Sequence, residues 1–469
     1  MAERVHFIGI CGTAMATLAA MLQARGLDVQ GSDRGIYPPM SDFLARERIR
    51  VFDGYRPENL PADIDMVVVG NAISRGNPEL EYVLDRKIHF VSLPEALRDR
   101  FLWTSRSIVI AGTHGKTTTT ALTGWLLTSA GHDPSVLVGG IARNFEGSYR
   151  LGAGRDFVIE GDEYDSAFFD KTAKFLKYLP DVAVIGNLEY DHADIYPDME
   201  SLRTAFKRLI QLVPRRGRIL VGADSEEAVR VAAGAPAAVE TFGLAADADW
   251  QASAITPAGG RLRFDASHQG QPFGTFELPL FGAHNVKNAL AALAVAHGEG
   301  VPVDDLQRGL AGFLGVSRRM ELRGTVRGVA VYDDFAHHPT AIRETLQAAR
   351  ASYPDRRIWG VFEPRSATSC RRIFQDDFAR AFAESGADEV VLAAVFRSSL
   401  PEHERLSVED LVRDVSRVGR RARYLPAVDD IVSTIAREAG DGDLVVIMSN
   451  GGFEGIHEKL LAALGRPAA

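Results

Sequence analysis

The segment Ile108–Thr118, IVIAGTHGKTT, decides the fold. Its first four residues are apolar and predict a buried strand, and a glycine-containing turn then leads into a helix-like stretch that opens at Lys116. This order is typical of a phosphate-binding loop, in which backbone N–H groups close on phosphate oxygens, the lysine reaches the β- and γ-phosphates and the hydroxyl of Thr117 serves Mg²⁺. Ile110 stands where the full pattern has its first glycine, so an unliganded Gly-Lys turn is the alternative interpretation.

Short apolar runs alternate with helix-like stretches on both sides of this loop. Val5–Ile10 and Met66–Val69 are typical of strands, and Ala14–Arg25 between them has a helical pattern. Ile358–Phe362 and Leu444–Met448 continue the alternation toward the carboxyl end. Such alternation predicts parallel, doubly wound sheets.

Three α/β domains follow from this pattern and from the length of 469 residues, at roughly 150 residues per domain. We predict a Rossmann-like domain over 1–105 and a second Rossmann-like domain over 318–469. Between them, 106–317 is predicted to be a P-loop ATPase-type domain with added antiparallel strands, because 235–280 has the pattern of hairpins.

Composition excludes several classes of protein. Hydrophobic residues at 46% and charged residues at 25% are ordinary for a globular chain and argue against long disorder, collagen and coiled coil. The net charge of -9 gives no general attraction to nucleic acid or anionic lipid. With only two cysteines, a disulfide framework is excluded. The sequence has neither a cleavable leader pattern nor an apolar run of about 18 residues. We therefore expect a cytoplasmic protein without membrane insertion.

Acidic residues follow two further strand-like runs. Glu160 ends the run that begins at Phe157, and His192 closes a segment that begins at Asn187. Because strand ends are where α/β sheets place ligands, and because carboxylates suit Mg²⁺, we predict Glu160 and His192 as metal ligands. Imidazole suits softer metals better, so a hydrogen-bonded structural role is the alternative for His192.

A second glycine turn lies near the amino terminus. Gly9–Ala14, GICGTA, follows a strand and nearly fits G-x-G-x-x-[GA], but Cys11 replaces the second glycine. Asp33 ends the next strand, where ribose hydroxyls are usually bound. A nucleotide diphosphate site fits these residues, and so does an NAD(P)-dependent oxidoreductase, although that class leaves the loop at Lys116 unexplained. A non-catalytic P-loop binding protein is a further alternative.

Taken together, the motifs resemble the Mur ligase family, the ATP-dependent amide-forming enzymes of peptidoglycan synthesis. The similarity extends over essentially the whole chain. It is carried by five motifs in order, which are Gly112–Thr118, Asn187–His192, Gly282–Asn288 (GAHNVKN), Arg318–Glu321 (RRME) and Asp333–Pro339 (DDFAHHP). A related alternative is an enzyme of folylpolyglutamate synthesis, which shares the domain plan of the family but does not need a UDP-binding domain.

Within the family, the glycine turn and the His-His-Pro segment resemble the branch that acts on UDP-N-acetylmuramate. One member of that branch adds L-alanine, and another adds the recycled tripeptide L-alanyl-γ-D-glutamyl-meso-diaminopimelate. The segments Ile10–Met15, Tyr37–Ser41, Glu363–Ser366 and Ser449–Phe453 resemble the enzyme that adds the tripeptide. We therefore expect a ligase that uses ATP and Mg²⁺ to join that tripeptide to UDP-N-acetylmuramate through an acyl phosphate, with L-alanine addition as the alternative.

The resemblance also implies roles for individual residues. ATP is expected at Gly112, Thr113, His114, Gly115, Lys116, Thr117, Thr118, Asn285, Asn288, Arg319 and Asp334. The UDP-sugar is expected at Gly9, Cys11, Gly12, Thr13, Ser32 and Asp33. The expected metal ligands are Thr117, Glu160 and His192, and the expected catalytic residues are Lys116, His192 and Arg319.

The peptide is anionic at its distal end, and guanidinium groups suit carboxylates. We predict a peptide site that includes Arg365, Ser366, Arg371 and Asn450. Lys207 stands where several family members carry a carbamylated lysine, but the branch that uses UDP-N-acetylmuramate does not generally use it, and we interpret Lys207 as a solvated helix residue.

Overall fold

The computed structural model describes residues 2–37, 40–258, 260–396 and 400–466. Pro38 and Pro39, which belong to one of the segments interpreted above, lie outside these ranges. The chain forms two compact units. The first comprises Met1–Glu189, Met199–Gln251 and Leu290–Gly309, and the second comprises Tyr190–Asp198, Ala252–Ala289 and Leu310–Ala469.

The first unit begins with a five-stranded parallel sheet in the order β3-β2-β1-β4-β5. Its elements are β1 Arg4–Ile8, α1 Thr13–Ala24, β2 Asp28–Asp33, α2 Met40–Arg46, β3 Arg50–Asp53, β4 Met66–Val69, α3 Pro78–Asp85, β5 Phe90–Ser92 and α4 Leu93–Arg100. The predicted parallel sheet is confirmed. The strand predicted over Val5–Ile10 ends earlier, at Ile8, because Gly9 has φ of +86° and starts the turn.

A second sheet in this unit carries the phosphate loop. Its strands lie in the order β14-β13-β12-β6-β9-β7-β8, parallel except for β8. The elements are β6 Arg106–Ala111, α5 Lys116–Ser129, β7 Ser135–Ala142, β8 Gly147–Arg150, β9 Asp156–Gly161, the short hairpin β10 Asp165–Ala167 and β11 Asp170–Ala173, β12 Val182–Ile185, α6 Met199–Gln211, β13 Arg218–Gly222, α7 Glu226–Ala232 and β14 Ala238–Gly243. Strand β6 pairs with both β9 and β12, so the segments that follow these three strands meet at one edge.

The boundary between the units falls within three elements, β15 Trp250–Ala258, α8 Ala283–Gly298 and α9 Val303–Ala311. Between β15 and α8 the chain forms the antiparallel hairpin of β16 Arg261–His268 and β17 Gln271–Leu278. The prediction of antiparallel strands in 235–280 is therefore confirmed.

The second unit contains a six-stranded sheet in the order β18-β19-β23-β20-β21-β22, of which only β18 is antiparallel to its neighbour. Its elements are β18 Glu321–Val326, β19 Val329–Asp334, α10 Pro339–Ser352, β20 Ile358–Phe362, α11 Gln375–Glu384, β21 Glu389–Leu392, α12 Val408–Arg417, β22 Arg421–Tyr424, α13 Val428–Glu438, β23 Leu444–Met448 and α14 Ile456–Leu464. Buried apolar clusters cover both faces of this sheet, as is usual for parallel strands. Among the described residues, no helix has the length and apolar character that crossing a membrane requires.

Candidate active site

The phosphate loop follows β6 and closes against the segment that follows β12. Gly112 has φ of +134°, and a Cβ atom there would lie 3.0–3.1 Å from backbone atoms of Gly186 and Asn187, so only glycine fits. Asn187 Oδ1 accepts a hydrogen bond from the backbone N–H of His114 at 2.8 Å. The hydroxyl of Thr113 accepts from the N–H of Glu189 at 2.9 Å. These contacts fix the loop conformation independently of a ligand.

Helix α5 begins directly after this loop. Gly115 is its N-cap residue with φ of +81°, and no side chain caps the first turn among the residues that the structure describes. The first N–H groups of such a helix are available to an anion and carry the positive end of the helix dipole. The loop therefore has the geometry that binding of a phosphate group requires.

Two functional groups of the loop are each held by a carboxylate. The ammonium group of Lys116 donates to both oxygens of Glu163, at 2.9 and 3.0 Å, and to the carbonyl of Gly112 at 2.8 Å. The hydroxyl of Thr117 donates to Glu160 Oε1 at 3.0 Å. Burial by itself would lower the pKa of Lys116, but the combined negative charge of Glu163, Asp162 and Glu160 outweighs it and the pKa is raised. The sequence did not indicate Glu163 as the partner of Lys116, although Glu163 lies in the acidic segment Asp162–Asp165 that follows β9.

Glu160 has the chemistry of a ligand for a hard cation. It lies at the end of β9, and its Oε2 accepts from the N–H of Gly139 at 2.8 Å. Burial and the nearby charge of Asp162 raise the pKa of Glu160, against the lowering effect of Lys116. A bound Mg²⁺ would offset the burial cost, and the oxygen donors of Glu160 and Thr117 are of the type that this ion prefers.

His192 belongs to the second unit. It has φ of +55°, an uncommon conformation for a residue other than glycine. Its backbone N–H lies 2.7 Å from Asp191 Oδ1 and 3.2 Å from Thr368 Oγ1, and the hydroxyl of Thr368 donates to the same carboxylate oxygen. Although burial alone would raise the pKa of Asp191, the neighbouring histidines outweigh it and lower this pKa well below its usual range. The turn that presents His192 is thus held by hydrogen bonds.

Two of the residues that are predicted to bind the nucleotide, Arg319 and Asp334, lie near each other in the second unit. Asp334 ends β19 and accepts from the N–H groups of Met320 and Ala336, both at 2.8 Å. Burial raises the pKa of Asp334, and the positive charge of Arg319 opposes that shift. The guanidinium of Arg319 lies 5.0 Å from the ring centroid of Phe335. The arrangement leaves a buried carboxylate with an arginine nearby.

Asn285 and Asn288 lie on one face of α8, as their spacing predicts. Asn288 Nδ2 donates to Asn285 Oδ1 at 3.1 Å, and Asn285 Nδ2 donates to the carbonyl of Phe281 at 2.7 Å. The two amides therefore form one short network in the first turns of the helix.

The amino-terminal turn is held by Asp33. Its Oδ2 accepts from the N–H of Cys11 at 2.7 Å, and its Oδ1 accepts from the hydroxyl of Tyr55 at 2.9 Å. The N–H of Gly9 donates to the carbonyl of Ser32 at 2.9 Å. Helix α1 begins at Thr13 with Gly12 as its N-cap, and among the described residues no side chain caps it. The turn thus offers an open helix N-terminus, the feature that binds diphosphate groups.

A buried polar cluster lies behind this turn and was not predicted. Glu79 accepts hydrogen bonds from the Ser32 hydroxyl and from Asn59 Nδ2, the latter at 2.6 Å, and its Oε2 lies 3.3 Å from His6 Nε2. Burial would raise the pKa of Glu79, but these hydrogen bonds lower it. Because Ser32 also holds Gly9, the cluster fixes the position of the turn.

The predicted peptide residues lie after strands of the second sheet. Arg365 and Ser366 follow β20, and Ser366 shares a hydrogen bond of 2.9 Å with Ser369 that closes a local turn. Asn450 follows β23, and its Oδ1 is buried without a hydrogen-bond donor among the described residues. Arg371 Nε is also buried, and in the described part of the chain it has no acceptor. The side chain of Lys207 is half exposed, 3.9 Å from Glu200.

The histidines of the DDFAHHP motif are held in the second unit. His338 is the N-cap of α10, where its Nδ1 accepts from the N–H of Thr340 at 3.4 Å, and its Nε2 lies 3.4 Å from the carbonyl of Tyr190. His337 Nδ1 lies 3.0 Å from the carbonyl of Phe335. The contacts of His338 are those of a residue that caps the helix and holds the local structure.

Comparison with protein families assigns most of the chain. Residues 4–101 match the model described as Mur ligase family, catalytic domain, residues 110–296 match the Mur ligase middle domain, and residues 318–451 match the Mur ligase, glutamate ligase domain. The chain therefore belongs to the Mur ligase family and has its three-domain fold. It is an ATP-dependent ligase, and the general property of its family is to use Mg²⁺.

Individual relatives cover the chain from end to end. A protein of Escherichia coli (strain K12) named UDP-N-acetylmuramate–L-alanyl-γ-D-glutamyl-meso-2,6-diaminoheptandioate ligase is 40% identical over 99% of both chains. A UDP-N-acetylmuramate–L-alanine ligase of Clostridium novyi (strain NT) is 35% identical over 98% of both. The crystal structure of a murein peptide ligase from Psychrobacter arcticus 273-4 matches with a TM-score of 0.73 and 38% identity over 100% of both chains.

Proposed function

We propose that the protein joins UDP-N-acetylmuramate to the tripeptide L-alanyl-γ-D-glutamyl-meso-diaminopimelate in peptidoglycan recycling. The observation that carries the proposal is the 40% identity over 99% of both chains with the Escherichia coli protein of that name. The matching L-alanine ligase of Clostridium novyi is 35% identical. The family assignment also weighs against an NAD(P)-dependent oxidoreductase and a non-catalytic P-loop protein, because neither accounts for matches along the whole chain.

The proposed reaction has two steps that balance without a further reactant. The lactyl carboxylate of UDP-N-acetylmuramate attacks the γ-phosphorus of ATP, which forms an acyl phosphate and releases ADP. The neutral amine of the tripeptide then attacks the acyl carbon, the C–O bond to the phosphate breaks, and the proton that the nitrogen loses ends on the departing inorganic phosphate as the amide forms. Catalysis requires that two anions approach each other and that the acyl phosphate is kept from water.

The phosphate loop supplies the first set of groups. The backbone N–H groups of Gly112–Thr118 and the ammonium of Lys116 would bind the phosphates of ATP. Thr117 and Glu160 would hold Mg²⁺ together with His192, and the ion when bound would neutralise charge on the phosphates. The hydrogen bond of 3.0 Å between Thr117 and Glu160 supports this pairing.

The remaining roles are assigned residue by residue. Arg319 would neutralise phosphate charge, Asp334 would bind the ribose, and Asn285 with Asn288 would contact the adenine side. We assign Gly9, Cys11, Gly12, Thr13, Ser32 and Asp33 to the UDP-sugar, and Arg365, Ser366, Arg371 and Asn450 to the peptide. Segment 1–105 would then bind UDP-N-acetylmuramate, 106–317 ATP, and 318–469 both nucleotide and peptide.

The test is a direct comparison of amine substrates. Purified protein is given ATP, Mg²⁺ and UDP-N-acetylmuramate with either the tripeptide or L-alanine, and the amide product and ADP are measured. We expect amide and ADP in equal amounts with the tripeptide, and a Lys116→Ala variant that loses at least about a hundredfold in rate. Efficient use of L-alanine without any tripeptide product would refute the proposal.

A further inference from the structure

We propose that Phe396 is a positioning residue for peptide specificity, which holds the guanidinium of Arg365 so that it binds the carboxylate at the distal end of the diaminopimelate residue. The inference rests on the proposed function, which supplies an anionic peptide. It adds two residues, Phe396 and Gly451, to which neither the sequence pattern nor the comparisons give a role.

The guanidinium of Arg365 is stacked on an aromatic ring. Its Cζ lies 3.7 Å from the ring centroid of Phe396, a distance at which a cation and the ring face attract each other. The backbone N–H of Phe396 donates to the carbonyl of Pro364 at 2.9 Å. The ring is therefore attached to the same loop that carries Arg365.

Gly451 lies against the Cδ, Nε and Cζ atoms of the Arg365 side chain. A Cβ atom at Gly451 would lie 2.2 Å from Arg365 Nε, so any larger residue would displace the arginine. The position of Gly451 is itself fixed, because Arg318 Nη2 donates to the carbonyls of Ser449 and Gly451 at 2.6 and 2.7 Å. The arginine thus lies between an aromatic ring and an anchored stretch of backbone.

The N–H groups of this guanidinium remain available for an anion. A carboxylate oxygen of Glu363 lies 3.7 Å from Nη1, which is too distant for a hydrogen bond. The other oxygen of Glu363 accepts from the Ser449 hydroxyl at 2.5 Å. Within the described residues the guanidinium donates no hydrogen bond, and the side chain of Arg365 is 31% exposed. A planar group that is held in place with unused donors is suited to a carboxylate.

The location in the fold agrees with a ligand site. Arg365 follows β20, Phe396 follows β21 and Gly451 follows β23, and these three strands are neighbours in the sheet. The carboxyl ends of parallel strands are where α/β sheets bind ligands. Asn450 Oδ1, next to Gly451, is buried and has no donor among the described residues. The distal carbon of diaminopimelate carries both a carboxylate and an ammonium group, which match these donors and this acceptor.

The experiment compares the wild type and a Phe396 variant on two peptide substrates. The tripeptide L-alanyl-γ-D-glutamyl-L-lysine lacks the distal carboxylate but is otherwise the same length. We expect Phe396→Leu to raise KM for the diaminopimelate peptide about tenfold, with little change in kcat and no change in KM for ATP or UDP-N-acetylmuramate. The same variant should leave KM for the lysine peptide unchanged, because the carboxylate that Arg365 binds is then missing.

Three further variants make the result specific. Phe396→Tyr keeps an aromatic face and should restore the wild-type KM, whereas Gly451→Ala should raise KM for the diaminopimelate peptide as Phe396→Leu does. Phe43→Leu removes the ring under Arg46, a similar pair 5.6 Å apart in α2, and should change neither peptide KM. Melting temperatures of all variants show whether they are folded.

The failure of the inference is distinguishable from failure of the proposed function. A wild-type protein that makes product with neither peptide would refute the proposed function itself. A wild-type protein that uses the diaminopimelate peptide, combined with a Phe396→Leu variant whose KM values for both peptides change equally or not at all, would refute only the role given to Phe396.

Discussion

Lys116 cannot direct the same N–H groups toward Glu163 and toward a phosphate. The ion pair is almost fully buried, with 10% of the lysine side chain and 2% of the glutamate side chain exposed. A buried pair of this kind is costly to break when one partner is removed, because an uncompensated charge remains. If ATP binds at this loop as proposed, it therefore competes with Glu163 for Lys116.

We predict that Glu163→Gln lowers the stability of the free protein and increases its stabilisation by nucleotide. The loss should be about 1–3 kcal/mol, because glutamine keeps one hydrogen bond but not the charge. ATP in saturating amounts should raise the melting temperature more in the variant than in the wild type, since Lys116 no longer has to leave a carboxylate. Thermal unfolding with and without ATP measures both effects.

Glu227→Gln is the matched control for this experiment. Glu227 pairs with Arg203 on the surface of the same unit, where an ion pair contributes about 0–1 kcal/mol. This variant should respond to ATP as the wild type does. An equal nucleotide shift in Glu163→Gln and the wild type would contradict the prediction.

Residues whose position follows from their place after a strand could be brought together from the sequence alone. Lys116 and Thr117 follow β6, Glu160 ends the neighbouring β9, and the structure places Thr117 within hydrogen-bond distance of Glu160, as strand–turn–helix logic predicts. Glu163 could not be chosen among the acids that follow β9, because the direction of each side chain depends on how the loop turns. Phe396 could not be predicted either, since its contact with Arg365 joins two loops that are distant in sequence.

At the scale of elements, helix α5 lies unusually close to strand β7. The contact is made at Gly124, where a Cβ atom would lie 2.8 Å from both methyl groups of Val136. Both residues are buried, and the branched side chain of Val136 has little freedom to move. Gly124 therefore sets the distance between the helix that follows the phosphate loop and the sheet.

We predict that Gly124→Ala lowers the melting temperature by about 3 °C. Overpacking of a buried contact costs about 1–3 kcal/mol, which exceeds the gain of up to about 1 kcal/mol from the better helix propensity of alanine. Gly440→Ala is the control, because a Cβ atom there meets nothing within 4 Å and the residue has no left-handed conformation. If Gly124→Ala and Gly440→Ala both had the melting temperature of the wild type, helix α5 could move away from β7 at no cost and the prediction would be wrong.

The bounds of a strand could be predicted from the sequence where a run of apolar residues extends over the whole strand. Strand β4, Met66–Val69, is buried along its length and was predicted with its exact bounds. The hairpin pattern within 235–280 includes the strand-like run Thr275–Leu280, but strand β17 begins earlier, at Gln271. Its first two residues, Gln271 and Pro272, are exposed, so they carry none of the apolar signal on which the prediction relied.

At the scale of the whole molecule, both cysteines are free thiols with raised pKa values. Cys11 is partly exposed in the amino-terminal turn, and Cys370 is buried in the second unit. Burial, together with the charge of Asp33, raises the pKa of Cys11 to about 11, and burial raises that of Cys370 to about 11. At neutral pH the thiolate, which is the reactive form, is on the order of 0.1% or less of each.

We predict that iodoacetamide at pH 7.5 leaves the folded protein almost unlabelled over an hour. Intact-mass measurement should show no adduct under native conditions and two adducts when the same reaction is run in concentrated urea. The urea sample is the control for reagent activity. Rapid addition of one adduct to the folded protein would contradict the raised pKa of Cys11.

The contact between Lys116 and Glu163 also bears on the design of inhibitors. An anionic group offered to Lys116 competes with a carboxylate that the protein itself supplies at high effective concentration. Part of the affinity of a phosphate mimic is therefore lost in displacing Glu163 from Lys116. A compound that presents an anion to Lys116 and a neighbouring cationic donor to Glu163 satisfies both halves of the broken pair. The loop is thus better matched by a zwitterionic head group than by a purely anionic one.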